Sequence, residues 1–249
     1  MSYNFFMNYI PEFNEYYDEL YPITEDLKCF FDNLISQYSS PVKFLRIGCG
    51  TGYFEHYLSK LGHDVTGIED FQEMLESANR RRKFPNMAIR YFYMSSLEMA
   101  WFLGKNFYNI ITIKDNRIIF THDPTLMRKF FYDCKNLLAP DGKIVIQMNN
   151  FKLFTPNPSA KLPLLESMRA KLFSQLWQRE EGQYTIDMNL ETSTGRILSL
   201  LKDTKVLPLT REQIQELALE AGFSSIEYYA NYRMEKFTED SENIIAVIS

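Results

Sequence analysis

Cysteine is scarce in this 249-residue chain, which holds only Cys29, Cys49 and Cys134. Three thiols so far apart make neither a disulfide framework nor a zinc-ligand set, so no metal is expected and a reducing compartment fits. Long apolar runs are missing too: no stretch approaches the roughly 20 residues of a membrane-spanning helix. Met1 to Tyr9 lack the basic start and continuous apolar segment of a secretory signal, and the expectation is a cytoplasmic protein with no membrane partner. Positive charge is not in excess. A net charge of -5 and a pI near 5.4 argue against a broad nucleic-acid footprint. The one basic run, Arg80-Arg81-Arg82-Lys83, falls where a helix should end before Phe84-Pro85. It either complements the dipole of that helix or forms a phosphate-binding patch. Internal repeats and low-complexity segments are absent.

What the chain does have is apolar bulk, 45% hydrophobic and 15% aromatic residues, enough to bury a sizeable core in one large α/β domain or two small ones. The organising stretch is Val42 to Tyr53. An apolar run of strand composition ends in Gly48, Gly50 and Gly52 at alternate positions, and an amphipathic segment (Phe54, Tyr57, Leu58, Leu61) starts at once. Strand, tight turn and helix in that order expose backbone amides and a helix N-terminus to a ligand, and glycine lets the backbone approach it closely. The spacing G-x-G-x-G departs from the dinucleotide fingerprint G-x-G-x-x-G/A, whose last position here is the bulky Tyr53.

Ahead of this loop, leading helices are expected around Tyr16 to Tyr21 and from about Thr24 to Gln37, with Pro22 between them and Thr24 as N-cap. Further strands are expected at His63 to Glu69, Met87 to Tyr93, Phe107 to Ile113 and Ile144 to Met148. A strongly periodic helix begins at Asp123-Pro124. Glu69 ends the second strand about 20 residues beyond Gly48, where a carboxylate can accept both ribose hydroxyls of an adenosine. From Asn149 to about Pro208 the pattern changes: Pro156, Pro158 and Pro163 mark a loop, Leu164 to Trp177 is expected to be helical, and Gln183 to Met188 and Arg196 to Lys202 to be strands. A capping box at Thr210 to Gln213 opens the last helix, and Ser225 to Tyr229 and Ile244 to Ile248 make two final strands.

These features resemble the class I S-adenosylmethionine-dependent methyltransferases. Gly48-Cys49-Gly50-Thr51-Gly52 resembles their motif I, and Gly67-Ile68-Glu69-Asp70-Phe71 through Met74 to Ala78 their second motif. Leu138-Ala139-Pro140-Asp141-Gly142 is similar to their LLxPGG turn, and Leu219 to Ile226 to their final helix and strand junction. The resemblance implies a Rossmann-like α/β fold, a seven-stranded sheet with helices on both faces and an antiparallel last strand. It divides the chain into an N-terminal helical lid (1–40), a core (41–149 and 209–249) and an inserted α/β lid or acceptor-pocket segment (150–208). Whether the leading aromatics close over a ligand or only cover the edge of the core stays open.

The implied function is methyl transfer from S-adenosylmethionine to a small-molecule acceptor by a monomer or homodimer. The alternatives are a catalytically silent protein of the same fold that binds a ligand or partner, and a nucleic-acid methyltransferase, which the acidic charge and the lack of an Asn-Pro-Pro-Tyr-like motif disfavour. Implied cofactor residues are Gly48, Cys49, Gly50, Thr51, Gly52, Glu69, Asp70, Met74, Ser95, Ser96, Leu97 and Lys114. Asp115 is the candidate general base, with His122 a weaker one, and Tyr17, Tyr21, Asn116, Asn149, Tyr232 and Arg233 are candidates for the acceptor site. Three positions depart from the family: Arg46, Ser95 and Tyr108 stand where acids are customary, Arg46 close to where the cofactor's ammonium would lie.

Overall fold

The computed structural model describes residues 11–154 and 158–249; Met1 to Tyr9 and Pro156 lie outside the described residues. The first half of the chain alternates regularly. Two leading helices, α1 (Phe13–Leu20) and α2 (Glu25–Ile35), precede β1 (Lys43–Ile47), α3 (Tyr53–Lys60), β2 (Asp64–Glu69), α4 (Gln72–Arg82) and β3 (Ile89–Tyr93). A short α5 (Met99–Phe102), β4 (Tyr108–Ile113), a 3-10 turn (Arg117–Phe120), α6 (Pro124–Leu137) and β5 (Leu138–Asn149) follow. The caps match their chemistry. Thr24 accepts from the Leu27 amide at 3.2 Å, and Asp123 accepts from the amides of Thr125 and Leu126 ahead of a proline-started α6.

The central strands bury consecutive residues, such as Phe44 to Ile47 in β1 and Ile110 to Ile113 in β4, because both sheet faces are covered. On one face Leu45, Ile47, Ile111 and Ile113 join Phe130, Phe131 and Ile214 in one cluster; on the other Phe44, Val65, Ile110 and Val145 join Phe30, Phe31 and Phe54 in a second. After the insertion, α7 (Arg211–Glu220), β11 (Ile226–Tyr229) and β12 (Asn243–Ile248) complete a seven-stranded sheet of order β11-β12-β5-β4-β1-β2-β3. Pairing is parallel from β5 to β3, while β12 runs antiparallel to both β5 and β11. This is the Rossmann-like class I methyltransferase arrangement expected from the motifs. The capping box at Thr210 and Gln213 is present.

The insertion corrects an expectation. No helix covers Leu164 to Trp177; that segment forms β7 (Leu165–Glu166) and β8 (Ala170–Gln178). With β6 (Ser159–Lys161), β9 (Tyr184–Thr192) and β10 (Ile197–Val206) they make a five-stranded antiparallel sheet of order β10-β9-β8-β6, with β7 on β8. Ala170, Leu172 and Leu176 alternate inward along β8, the period of a strand with one covered face. Ala170, Leu172, Leu190, Leu198 and Leu200 pack against Phe13, Tyr17 and Leu20, so the second sheet rests on α1 and the two together roof the carboxyl edge of the main sheet.

Leu190 is fully buried within that cluster. Leu190→Ala is expected to cost about 2–5 kcal/mol by urea denaturation, the range for a buried leucine that leaves a cavity. A change below about 0.5 kcal/mol would contradict the burial of Leu190 between the second sheet and α1.

Candidate cofactor and acceptor site

The loop after β1 carries three left-handed glycines, Gly48, Gly50 and Gly52, at φ of 69°, 57° and 75°. Space is as tight as the backbone geometry. A Cβ on Gly48 would lie 2.7 Å from Arg117 Nε, one on Gly50 2.7 Å from the Tyr17 ring, and one on Gly52 would strike the Tyr91 hydroxyl. The amides of Gly48 and Cys49 both donate to the Ile68 carbonyl, at 2.9 and 3.0 Å, tying the loop to β2. Thr51 donates its hydroxyl to Asp18 on α1, and Arg82 at the end of α4 pairs with the same carboxylate at 2.5 Å. The basic run therefore does more than complement a dipole, since Arg82 helps to pin α1 over the loop.

Glu69, 1% exposed at the tip of β2, is the hub of this edge. Its Oε2 accepts from the Gly50 amide at 2.7 Å. Its Oε1 accepts from Arg117 Nη2 at 2.5 Å and from the amides of Asp70 and Phe71 at 3.1 and 3.3 Å. Burial opposes ionisation, but the Arg117 charge and these hydrogen bonds outweigh it and hold the carboxyl below its ordinary range. Beside it opens a slot of about 70 Å³ with apolar walls of Ile68, Phe71, Met94, Leu97, Phe120 and Leu126, and with Asp70, Ser95, Ser96 and His122 also facing it. Arg117 stands between slot and glycine loop, its guanidinium 5.3 Å from the centre of the Phe71 ring.

On the other side of the loop lies a buried charge cluster. Arg46, 3% exposed, donates to the Ile47 carbonyl at 2.7 Å and to Asp115 Oδ2 at 3.2 Å, and its Nε lies 3.4 Å from Glu55 Oε1. Lys114 Nζ lies 3.3 Å from the same Asp115 oxygen, and burial lowers its pKa. Two acids thus neutralise the cation that replaces a customary acid at position 46. Asp115 and Asn116 hold left-handed backbones, φ 61° and 59°, that turn the exit of β4 back over the loop. Burial raises Glu55 to about 7 from an ordinary 4.5.

Over this cluster lies a cavity of about 390 Å³ between α1, α2, the second sheet and the ends of β4 and β5. One wall is polar. The Asp115 amide donates to Gln147 Oε1 at 2.7 Å, Asn116 Nδ2 to Asn149 Oδ1 at 2.6 Å and Asn149 Nδ2 to Asn243 Oδ1 at 3.2 Å. Glu242 and the side chains of Tyr17, Tyr21 and Tyr232 also face the cavity, and burial, aided by Asp115, keeps all three phenols protonated. The facing wall is apolar, with Leu162, Leu164, Ile186 and Met188.

Most of the residues singled out from the sequence line these neighbouring spaces; Gly50, Thr51 and Gly52 lie in the loop beside them without lining any, and three further residues lie away from them. Met74 is buried against Phe13 and Tyr17 under α1, not in the slot, and Arg233 is exposed and pairs with Glu235 at 3.0 Å. Tyr108 is buried far down β4 and reaches no cavity, because its position begins the strand. Sequence reasoning missed Arg117, Glu55 and Phe120. Only proximity in sequence to Asp115 or to the glycine loop pointed to them.

Residues 44–142 match a family model described as a methyltransferase domain. A provisionally named methyltransferase of Geobacillus sp. (strain WCH70) is 22% identical over 222 residues, 82% of this chain and 83% of that protein. Among solved structures, the CcbJ methyltransferase from Streptomyces caelestis superposes with a TM-score of 0.77 at 17% identity, covering 94% of each chain. CalS10, an amino pentose methyltransferase from Micromonospora echinaspora solved with S-adenosylmethionine bound, superposes with a TM-score of 0.60 at 19% identity over 90% of this chain and 89% of its own.

The buried Glu55 carboxyl makes stability depend on pH. Its pKa is raised in the fold, so its neutral form favours folding; that contribution is full below about 4.5 and is lost as pH rises through about 7. Glu55→Gln keeps the neutral form at every pH. Its melting temperature, equal to or below wild type at pH 5, is expected to gain on wild type by roughly 5 °C by pH 8. Parallel profiles would contradict the buried, half-paired state of Glu55.

Proposed function

We propose that this chain, a methyltransferase of the class I fold, transfers the methyl group of S-adenosylmethionine to an amine or hydroxyl of a small, sugar-sized molecule. The observation that carries the reading is Glu69, a buried carboxylate at the tip of β2, held against the Gly50 amide beside an apolar slot. Its residues fit an adenosine. The slot has apolar walls suited to a purine, Glu69 supplies acceptors for ribose hydroxyls, and the three glycines keep Cβ atoms out of the cradle. The fit carries one condition: Arg117 must leave Glu69 for the ribose to take its place.

Bound there, S-adenosylmethionine supplies an electrophilic sulfonium methyl. The chain's own work is then mainly positioning and exclusion of water. Glycines 48, 50 and 52, with Cys49 and Thr51, shape the cradle, and Asp70, Ser95, Ser96 and Leu97 bound the slot. The roof of α1 and the second sheet closes off the larger cavity, whose size falls in the range of small-molecule pockets. Its polar wall of Asn116, Asn149 and Asn243, with Asp115 and Glu242, suits a ligand rich in hydroxyl or amino groups. Tyr17, Tyr21 and Tyr232 give it aromatic edges. Asp115 is the one carboxylate on both the charge cluster and this cavity, which suits it to take the proton that an amine or hydroxyl gives up on methylation. CalS10 is an amino pentose methyltransferase, and an acceptor of that class matches this wall.

Calorimetric titration with S-adenosylhomocysteine is expected to show micromolar binding, weakened tenfold or more by Glu69→Gln while the far-ultraviolet circular dichroism stays unchanged. Equal affinity in the variant would contradict the assignment of Glu69. No binding to the wild type at millimolar ligand would overturn the cofactor reading and favour a silent binding protein.

A further inference from the structure

Between the glycine loop and the large cavity lies a third, much smaller space of about 20 Å³, reached by Arg46, Glu55, Lys114, Asp115, Tyr17 and Tyr21. Glu55 is its most unusual member. The side chain sits in the first turn of α3, 1% exposed, and neither carboxylate oxygen has a hydrogen-bond partner among the described residues. Among the described residues its one ion pair is the 3.4 Å approach of Arg46 Nε to Oε1, while Arg46 Nη1 and Nη2 turn to the Ile47 carbonyl and to Asp115. A buried acceptor left in this condition costs free energy, so it marks a place where donors are expected to arrive with a ligand.

The sign of the surroundings says what kind of donor. Two acids and two bases meet here within one small space, Glu55 and Asp115 against Arg46 and Lys114. Asp115 is shared by both cations, with Arg46 Nη2 at 3.2 Å and Lys114 Nζ at 3.3 Å, and so already has two partners. Glu55 has one long contact and the open acceptors. Lys114 keeps unused N–H donors, its ammonium lying 5.5 Å from the centre of the Phe54 ring. A ligand group that carries an ammonium and a carboxylate on one carbon satisfies both: N–H donors for Glu55 and an anion for Lys114.

We propose that Glu55 is the ammonium-binding residue for the amino-acid end of the cofactor, acting from α3 in place of the acid that Arg46 displaces from β1, with Lys114 facing the carboxylate. The inference rests on the cofactor reading of the glycine loop. It makes Arg46 the counter-charge that keeps Glu55 and Asp115 together in a buried site, and not a residue that repels the ligand.

The test compares two ligands by calorimetry: S-adenosylhomocysteine, which has the amino-acid end, and 5′-methylthioadenosine, which lacks it. Wild-type protein is expected to prefer the first by about tenfold or more, the worth of one charge-assisted contact. Glu55→Gln should lose that preference through weaker S-adenosylhomocysteine binding, with 5′-methylthioadenosine changed less than about twofold, and Glu55→Asp should restore part of it. Equal loss for both ligands would mean a merely structural Glu55 and would overturn the inference, as would an unchanged preference. Wild-type binding of both ligands with equal affinity would overturn it while leaving the cofactor reading in place. Binding of neither would overturn both.

Discussion

Glu69 joins three separate parts of the chain through two oxygen atoms. One oxygen fixes the Gly50 amide of the loop after β1; the other takes the first amides beyond β2 and the Arg117 guanidinium from the exit of β4. Such a buried carboxylate is tolerable only because both oxygens meet donors, three on Oε1 and one on Oε2, and removing any donor would leave charge stranded in a low-dielectric edge. The loop, the turn into α4 and the 3-10 turn that carries Arg117 therefore hold one another in place. The apolar slot opens directly beside this node, and the charge cluster lies across the glycine loop from it.

The same economy governs the neighbouring cluster. Placing an arginine at position 46 puts a cation under the glycine loop, where the family resemblance implies an anion. The structure balances it with Glu55 from α3 and Asp115 from a left-handed turn after β4. Charge is thus rearranged around the loop and not simply lost, which reconciles the missing acid with a methyltransferase fold. Ser95, another departure, sits on the slot with its hydroxyl turned to the Leu97 amide at 3.2 Å.

Much of the fold was legible because its signals are local. Glycines at alternate positions after an apolar run, the Thr24 and Thr210 caps and the periodic stripe from Pro124 to Leu137 each act over a few residues, and the main sheet follows from their order. The insertion was misread for a physical reason. Leu165, Met168, Leu172 and Leu176 recur at helical spacing, but Met168 is 97% exposed in the tight connection between β7 and β8, and the buried set is the alternating Ala170, Leu172 and Leu176. A short apolar segment satisfies both periods, and the packing of α1 decides between them. In the site, Glu69 and the glycines were readable from spacing. Arg117 and Glu55 were not, because their roles come from pairings 48 residues apart in sequence, Glu69 with Arg117, and from a burial that no local pattern encodes.

The central claim is that Glu69 passes from Arg117 to the ribose of the cofactor. A crystal structure of the protein with S-adenosylhomocysteine tests it most directly. The account predicts both ribose hydroxyls within hydrogen-bond distance of the Glu69 carboxylate, the Gly50 contact retained, and the Arg117 guanidinium displaced from Oε1. A ligand seated elsewhere, with the Arg117 to Glu69 pair intact, would contradict it.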